Sequence, residues 1–241
     1  MGREDLMEWS KVLVDGDIFA YRAAFATEDK SKKEAKLTVD GLLQDSLEYC
    51  LGWPNYPEDY EIFLTCSGYQ FRHDIAKTHK YKGNRSKREK PRHLPSIREH
   101  MISSWGAVVS VEEEADDLIA IEATKNNFDC VVVSIDKDML QIPCWHYNHF
   151  KNVLTKVEPF EGTKFFYTQI LTGDSADNIH GLSQVGPVKA SNILKGLETE
   201  QDMWDAVLDA YDGDVDRVLE NARLLWLRRY EGEIWQPPDK R

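Results

Sequence analysis

Short apolar runs and amphipathic stretches alternate along the first two thirds of the chain. Four runs rich in β-branched and other apolar residues predict short buried strands, and they span residues 11–15, 61–65, 107–111 and 129–135. Segments with apolar residues at helical spacing predict helices, at residues 18–26, 39–51, 96–105 and 115–125. Strands that alternate with helices form a mostly parallel sheet with right-handed crossovers.

Other segments lack this alternation. Residues 28–36 are mainly charged and are expected to form a loop. Residues 72–95 contain one glycine and two prolines, which predicts a loop or a broken helix. From about residue 165 the sequence changes to short helical segments separated by glycine turns. We therefore expect an α/β domain over residues 1–165 and a helical region over residues 166–241.

The composition narrows the class of protein. The chain has 241 residues, of which 41% are hydrophobic, and this is enough for a sizeable core. No run of about 18 apolar residues occurs, so we expect no membrane association. Four cysteines are scattered without a CxxC pair, which favours a reduced, cytoplasmic protein. We also expect a monomer.

The charge is unevenly distributed along the chain. The formal net charge is −12, which does not favour nucleic acid as a partner of the whole surface. Residues 72–92, however, hold nine lysines and arginines against two acids. Such a basic segment is typical either of a phosphate-binding element or of a solvated loop.

Carboxylates recur where predicted strands end and where predicted helices begin. They are Asp15, Glu114, Asp116, Asp117, Asp136, Asp138, Asp174 and Asp177. Each pair alone is typical of solvated acids or helix caps, but the carboxyl ends of parallel strands meet at one edge of a sheet. Oxygen-only ligands favour hard cations such as Mg²⁺ or Mn²⁺. Two such ions can promote the hydrolysis of a phosphodiester.

Several motifs together resemble a known family. They are LVDGD at residues 13–17, FRHD at 71–74, YKGNR at 81–85, EADD at 114–117, DKDM at 136–139 and GDSADNIHGLSQVGPVKA at 173–190. In this order they resemble the 5′-nuclease superfamily, which comprises the flap endonucleases, the 5′-nuclease domain of bacterial DNA polymerase I and the stand-alone 5′–3′ exonucleases of T-odd phages. The absence of a polymerase region favours the stand-alone phage type.

The resemblance implies a fold and an activity. The fold would be PIN-like, with a mostly parallel sheet flanked by helices over residues 1–165, a basic arch at about residues 72–95 and a helix–three-turn–helix region over residues 166–241. The activity would be metal-dependent 5′–3′ exonuclease or structure-specific flap endonuclease cleavage of DNA at a 5′ end or flap. Products would carry 5′-phosphates, and RNA primers in RNA–DNA hybrids would be further substrates.

The resemblance also implies roles for individual residues. The eight acids named above would hold two Mg²⁺ or Mn²⁺ ions, with Asp117 and Asp138 close to the main ligands. Tyr81, Lys82 and Arg85 would be catalytic residues at the base of the arch, where the two cations face the scissile phosphate and the tyrosine stacks on a base. Arg72, Gly181, Gly186 and Lys189 would bind DNA, and a K⁺ ion would occupy the turn near them.

Two departures from the family pattern leave alternatives open. Thr65 stands where the family usually has an aspartate, and Gln184 replaces the second glycine of the turn. A PIN-type ribonuclease with the same acidic centre is one alternative, although it has no need of the GDSADN segment and its glycine turn. A DNA-structure-binding protein with weakened catalysis is the other, because of Thr65.

Overall fold

The computed structural model describes residues 9–52, 59–84 and 89–239. It contains two compact units, which are Met1–Gly68 with Glu89–Val157 (unit 1) and Tyr69–Arg88 with Glu158–Arg241 (unit 2). This division differs from the one expected from the sequence, because residues 69–88 belong to the second unit. The expected boundary at residue 165 also lies inside a helix, and the domain assignment stays a prediction.

Unit 1 is built on a six-stranded sheet. Its strands are β1 (Lys11–Asp15), β2 (Tyr60–Leu64), β3 (Val108–Val109), β4 (Cys130–Val133), β5 (Trp145–Asn148) and β6 (Val153–Lys156). They lie in the order β3-β2-β1-β4-β5-β6. All pairings are parallel except β5 with β6. The mostly parallel sheet predicted from the alternating pattern is therefore confirmed.

Helices cover the sheet of unit 1. They are α1 (Gly16–Ala26), α2 (Lys32–Leu51), α4 (Leu94–Trp105) and α5 (Ala115–Lys125). The loop expected at residues 28–36 is wrong in its second half, because Ser31 and Glu34 cap α2 reciprocally and start the helix at Lys32. Fully buried side chains of β1 and β4, such as Val12 and Val131, pack in the core of this unit.

Unit 2 is mainly helical. It contains α3 (Arg72–Ile75), α6 (Pro159–Thr172), α7 (Pro187–Ile193), α8 (Glu200–Ala210) and α9 (Val215–Leu225). Its core is rich in aromatic residues, with Phe166, Tyr167, Trp204 and Trp235 in contact. In the described parts of both units, no helix is long and apolar enough to cross a membrane.

Two glycines in unit 2 permit a close approach of backbone segments after α6. Strands β7 (Gly173–Asp174) and β8 (Ile179–His180) form a small antiparallel hairpin. A Cβ on Gly181 would lie 2.2 Å from the carbonyl carbon of Thr172, and Gly173 has a φ of +69°. Other residues would clash or be strained at these two positions. The glycines therefore allow the hairpin that carries Asp174 and Asp177 to form.

Candidate functional site

Asp15 and Asp136 are joined through Ser134 at the carboxyl ends of two neighbouring strands. Asp15 ends β1, and Ser134 directly follows β4, which pairs with β1 in parallel. The Ser134 hydroxyl donates to Asp15 Oδ2 at 2.9 Å and accepts from the backbone N–H of Asp136 at 3.0 Å. The structure thus brings two predicted acids together, through a serine that we did not predict.

The burial of Asp15 makes its ionised form costly. Only 7% of the residue is exposed. The pKa of Asp15 is raised from 3.8 to about 7, mainly by burial, with repulsion from Asp17 and a smaller repulsion from Asp136 also contributing. The hydrogen bond from Ser134 acts in the opposite direction. A cation bound nearby would favour the carboxylate and relieve this cost.

A second group of acids lies at the start of α5. Glu114 and Asp117 are buried, with 6% and 0% exposed. The backbone N–H of Glu114 donates to Asp117 Oδ2 at 3.1 Å, and the backbone N–H of Asp117 donates to Asp116 Oδ1 at 2.7 Å. Part of the acidic run therefore binds N–H groups in the first turn, where the helix dipole favours negative charge.

Thr65 connects α5 to α1. Its hydroxyl accepts a hydrogen bond of 3.0 Å from the backbone N–H of Ala115, the first residue of α5. Its own N–H donates to Asp17 Oδ2 at 2.8 Å. Arg98 of α4 forms an ion pair with Asp17 and donates to the Thr65 carbonyl at 2.6 Å. Sequence reasoning missed Asp17 and Arg98, although Asp17 lies within the LVDGD motif.

The remaining acid of this edge is Asp138. Its backbone N–H donates to Asp136 Oδ1 at 3.0 Å, and its carboxylate pairs with Lys137 at 2.9 Å. Among the described residues, no three His, Cys, Asp or Glu side chains are arranged so that they could hold a metal ion as they stand. To share a cation, side chains of the unit 1 acids would have to change conformation.

The chemistry of this edge fits a divalent cation. The acids offer oxygen ligands only, which suit Mg²⁺ or Mn²⁺ better than softer metals. A cation would stabilise the carboxylate of Asp15, which is buried and is repelled by two neighbouring acids. Unit 1 residues that could supply ligands are Asp15, Glu114, Asp116, Asp117, Asp136 and Asp138.

In unit 2, the structure brings Tyr81 and Lys82 to Asp177. The Tyr81 hydroxyl donates to Asp177 Oδ2 at 2.8 Å, and Lys82 donates through its backbone N–H to the Asp177 carbonyl, also at 2.8 Å. The Lys82 ammonium lies 3.9 Å from the same carboxylate oxygen. The side chain of Asn84 donates to the Ser175 carbonyl at 2.5 Å. Residues 81–84 are therefore bound to the loop that carries Asp177.

These contacts correct one expected role. Tyr81 is only 2% exposed and packs edge-on against His73, so its ring is not available to stack on a base. Its hydroxyl instead orients Asp177. Asp174 accepts a hydrogen bond of 2.7 Å from the backbone N–H of Ala176. The metal roles of Asp174 and Asp177 stay predictions, and Arg85 lies outside the described residues.

The four residues expected to bind DNA differ in their surroundings. Arg72 is 2% exposed and donates to the carbonyls of Leu224 and Trp226, both at 2.9 Å. Its guanidinium is occupied inside unit 2, which corrects the expected DNA contact to a packing role. Gly181 allows its backbone to lie close to that of Thr172, because it has no Cβ. Gly186 and Lys189 are exposed at the start of α7, where a DNA contact stays a prediction.

Comparisons with known proteins agree with the motifs. The model of a family described as "5'-3' exonuclease, N-terminal resolvase-like domain" matches residues 10–166. A 5'-3' exonuclease of Mycoplasma genitalium is 25% identical over 219 residues, which cover 80% of this chain and 74% of that protein. DNA polymerase I of Bacillus subtilis is 32% identical over 236 residues, which cover 88% of this chain but 26% of the polymerase.

Solved structures share the fold. A complex of the bacteriophage T5 flap endonuclease with DNA and metal ions superposes with a TM-score of 0.69 at 16% identity, covering 89% of this chain and 88% of the phage protein. Flap endonuclease-1 of Methanococcus jannaschii gives 0.60 at 13% identity, covering 96% and 82%. These likenesses confirm the predicted fold class, an α/β sheet domain with a helical C-terminal region.

Proposed function

Since the chain belongs to the 5'-3' exonuclease family and is a nuclease of that family, we propose that it hydrolyses phosphodiester bonds near the 5′ ends of DNA at the acidic edge of the unit 1 sheet. Substrates would be DNA with a 5′ end or a 5′ flap, and products would carry 5′-phosphates. RNA primers in RNA–DNA hybrids are a further substrate of this proposal.

The observation that carries the proposal is the Asp15–Ser134–Asp136 link. The Ser134 hydroxyl binds the carboxylate of the buried Asp15 and the backbone N–H of the exposed Asp136 at the end of the sheet, where ligands bind in open parallel sheets. Burial and repulsion raise the pKa of Asp15 to about 7. Perturbed acids of this kind are more common at functional sites than elsewhere.

The acids of this edge have a defined part in the reaction. Two divalent cations, Mg²⁺ or Mn²⁺, would supply Lewis-acid stabilisation of the phosphodiester and an acidified water molecule. Asp15 would act in its ionised form, and Ser134 would keep its carboxylate oriented. By the family resemblance, catalytic roles for Lys82 and Arg85 are also part of the proposal, since cations of this kind stabilise charge on a phosphate.

Unit 2 would bind the duplex part of the substrate. The turn at residues 181–186 and Lys189 are exposed in part or fully, and such groups contact phosphates without reading the base sequence. A K⁺ ion at this turn is part of the proposal. We further propose that the protein acts as a monomer.

A second candidate function, the binding of DNA structures with weakened catalysis, has one observation in its favour. Thr65 provides no carboxylate, and its hydroxyl already accepts a hydrogen bond from Ala115. A centre that lacks a ligand at this position would bind DNA structures without cutting them efficiently.

Cleavage assays separate these functions. The substrates are a 5′-flap DNA, a duplex with a recessed 5′ end and a single-stranded RNA, each with Mg²⁺, Mn²⁺ or EDTA. We expect metal-dependent cleavage of the DNAs, abolished in Asp136→Ala with DNA binding kept. Asp45→Ala is the matched control, because Asp45 is an exposed acid of α2. Binding without cleavage favours the second function, and preferred cleavage of RNA favours a ribonuclease.

A further inference from the structure

An ion pair outside the predicted ligand set lies against the acidic edge of unit 1. We infer that Asp17 and Arg98 are positioning residues of the proposed metal centre, where they join α1 to α5 through Thr65 and set the electric charge beside Asp15. The inference rests on the proposed function, since it concerns residues that act on cations through the ligands.

The conformation of Asp17 is fixed from two sides. Asp17 lies in the first turn of α1, two residues after Asp15. Its Oδ2 accepts from the Thr65 N–H at 2.8 Å, and its Oδ1 pairs with Arg98. Arg98 also donates to the Thr65 carbonyl at 2.6 Å. The Asp17 and Arg98 side chains are each 21% exposed, so the pair is largely shielded from solvent.

Thr65 extends this connection to the second group of acids. Its hydroxyl accepts from the N–H of Ala115 at 3.0 Å. Glu114 and Asp116 flank Ala115 at the start of α5. A continuous series of hydrogen bonds therefore runs from Asp17 to the backbone between these two acids, and it fixes α1 relative to the start of α5.

Asp17 and Arg98 carry opposite charges next to Asp15, a proposed metal ligand. Asp17 lies two residues after Asp15, in the first turn of α1. Arg98 is always protonated, so in the intact pair it offsets part of the Asp17 charge next to Asp15. Loss of the Asp17 charge leaves an uncompensated cation at this point, whereas loss of the Arg98 charge leaves an uncompensated anion. The two losses must therefore change cation affinity in opposite directions.

Binding of Mn²⁺ without DNA tests this directly. The free ion is measured by electron paramagnetic resonance during titration of the wild type, Asp17→Asn, Arg98→Gln and the double variant. We expect Asp17→Asn to weaken binding about threefold or more, Arg98→Gln to tighten it by a similar factor, and the double variant to stay within about twofold of wild type. If Arg98→Gln does not fold, Arg98→Met makes the same charge change while the aliphatic stem keeps its packing.

The matched control is another ion pair of unit 1. Lys11 and Glu61 are 21% and 31% exposed, and Lys11 lies at the opposite end of β1 from Asp15. Glu61→Gln should leave Mn²⁺ affinity unchanged. Equal weakening in Asp17→Asn and Arg98→Gln, or no change in either, overturns the inference while the metal centre stands. A wild-type protein that binds no Mn²⁺ overturns the centre and the inference together.

Discussion

The hydroxyl of Ser134 donates a 2.9 Å hydrogen bond to Asp15 Oδ2 and ties the end of β4 to the end of β1. This bond favours the ionised form of Asp15, but burial and the neighbouring acids outweigh it and raise the pKa of Asp15 to about 7. Without a cation, the folded protein therefore keeps a proton on Asp15 at a pH at which the unfolded chain has lost it.

This shift makes stability depend on pH in a defined direction. The folded pKa of Asp15 lies above its ordinary value of 3.8, so its stabilising contribution is complete below about pH 4 and is lost as the pH rises through about 7. In EDTA, Asp15→Asn should therefore be more stable than wild type at pH 8, by on the order of a few kcal/mol, with a smaller difference at pH 5. Urea denaturation followed by circular dichroism measures both values.

Two comparisons make the pH test specific. Asp45→Asn changes an exposed acid and should follow the wild type at both pH values. Saturating Mg²⁺ should reduce the difference in the free energy of unfolding between Asp15→Asn and the wild type at pH 8. Only the wild type has a carboxylate at position 15 that can bind the cation. An equal stability difference at pH 5 and pH 8 would show that Asp15 has an ordinary pKa.

Tyr81→Phe tests the corrected role of Tyr81. The substitution removes the hydroxyl that donates to Asp177 at 2.8 Å inside unit 2. We expect the free energy of unfolding to fall by about 1 kcal/mol, because the hydroxyl is buried and the bond is not replaced. Tyr230→Phe is the control, since Tyr230 is 62% exposed. Unchanged stability in Tyr81→Phe would show that the Tyr81 hydroxyl does not hold Asp177.

The sequence predicts those helices and strands that have a clear apolar pattern of their own. Strands β1 and β4 and helix α5 carry clear apolar patterns, and each was predicted within about two residues. Strands β5 and β6, with the sequences WHYN and VLTK, mix polar and apolar residues and were missed. The start of α2 was missed because a capping pair, rather than an apolar stripe, determines it.

For the candidate site, the sequence predicts residue types but not partners. Topology brings Asp15 and Asp136 together, as expected for acids that follow adjacent parallel strands. Ser134 and Arg98 were missed because a single serine or arginine outside the acidic motifs carries no signal of the acid that it binds. Burial is equally invisible in a motif, which explains why Arg72 and Tyr81 were assigned to DNA.

Gln184→Gly tests the departure in the turn of unit 2. Gln184 has a φ of +61°, which is unfavourable for residues other than glycine. Glycine at this position should raise the free energy of unfolding by up to about 1 kcal/mol, as measured by urea denaturation. Gly181→Ala, in contrast, should be strongly destabilising because its Cβ would meet backbone atoms. A loss of stability in Gln184→Gly would mean that the glutamine side chain makes stabilising contacts.

Lys189→Ala tests the proposed duplex contact of α7. Removal of one phosphate contact should weaken duplex binding and lower the slope of log K against log salt by about 0.9. Single-turnover cleavage at saturating enzyme should be unchanged. Lys125→Ala removes an exposed lysine at the end of α5 in unit 1 and should leave the slope as in wild type. An unchanged slope in Lys189→Ala would exclude a phosphate contact by this residue.

The central claim is that acids from separate segments of the chain bind divalent cations at the carboxyl edge of the sheet. Anomalous scattering from a crystal soaked in Mn²⁺ tests it most directly, because it locates each ion and identifies its ligand oxygens. We predict Mn²⁺ bound by Asp15 together with oxygens of Asp136 or Asp116. Mn²⁺ bound only at other positions, with these carboxylates free of metal at saturating concentration, would contradict the account.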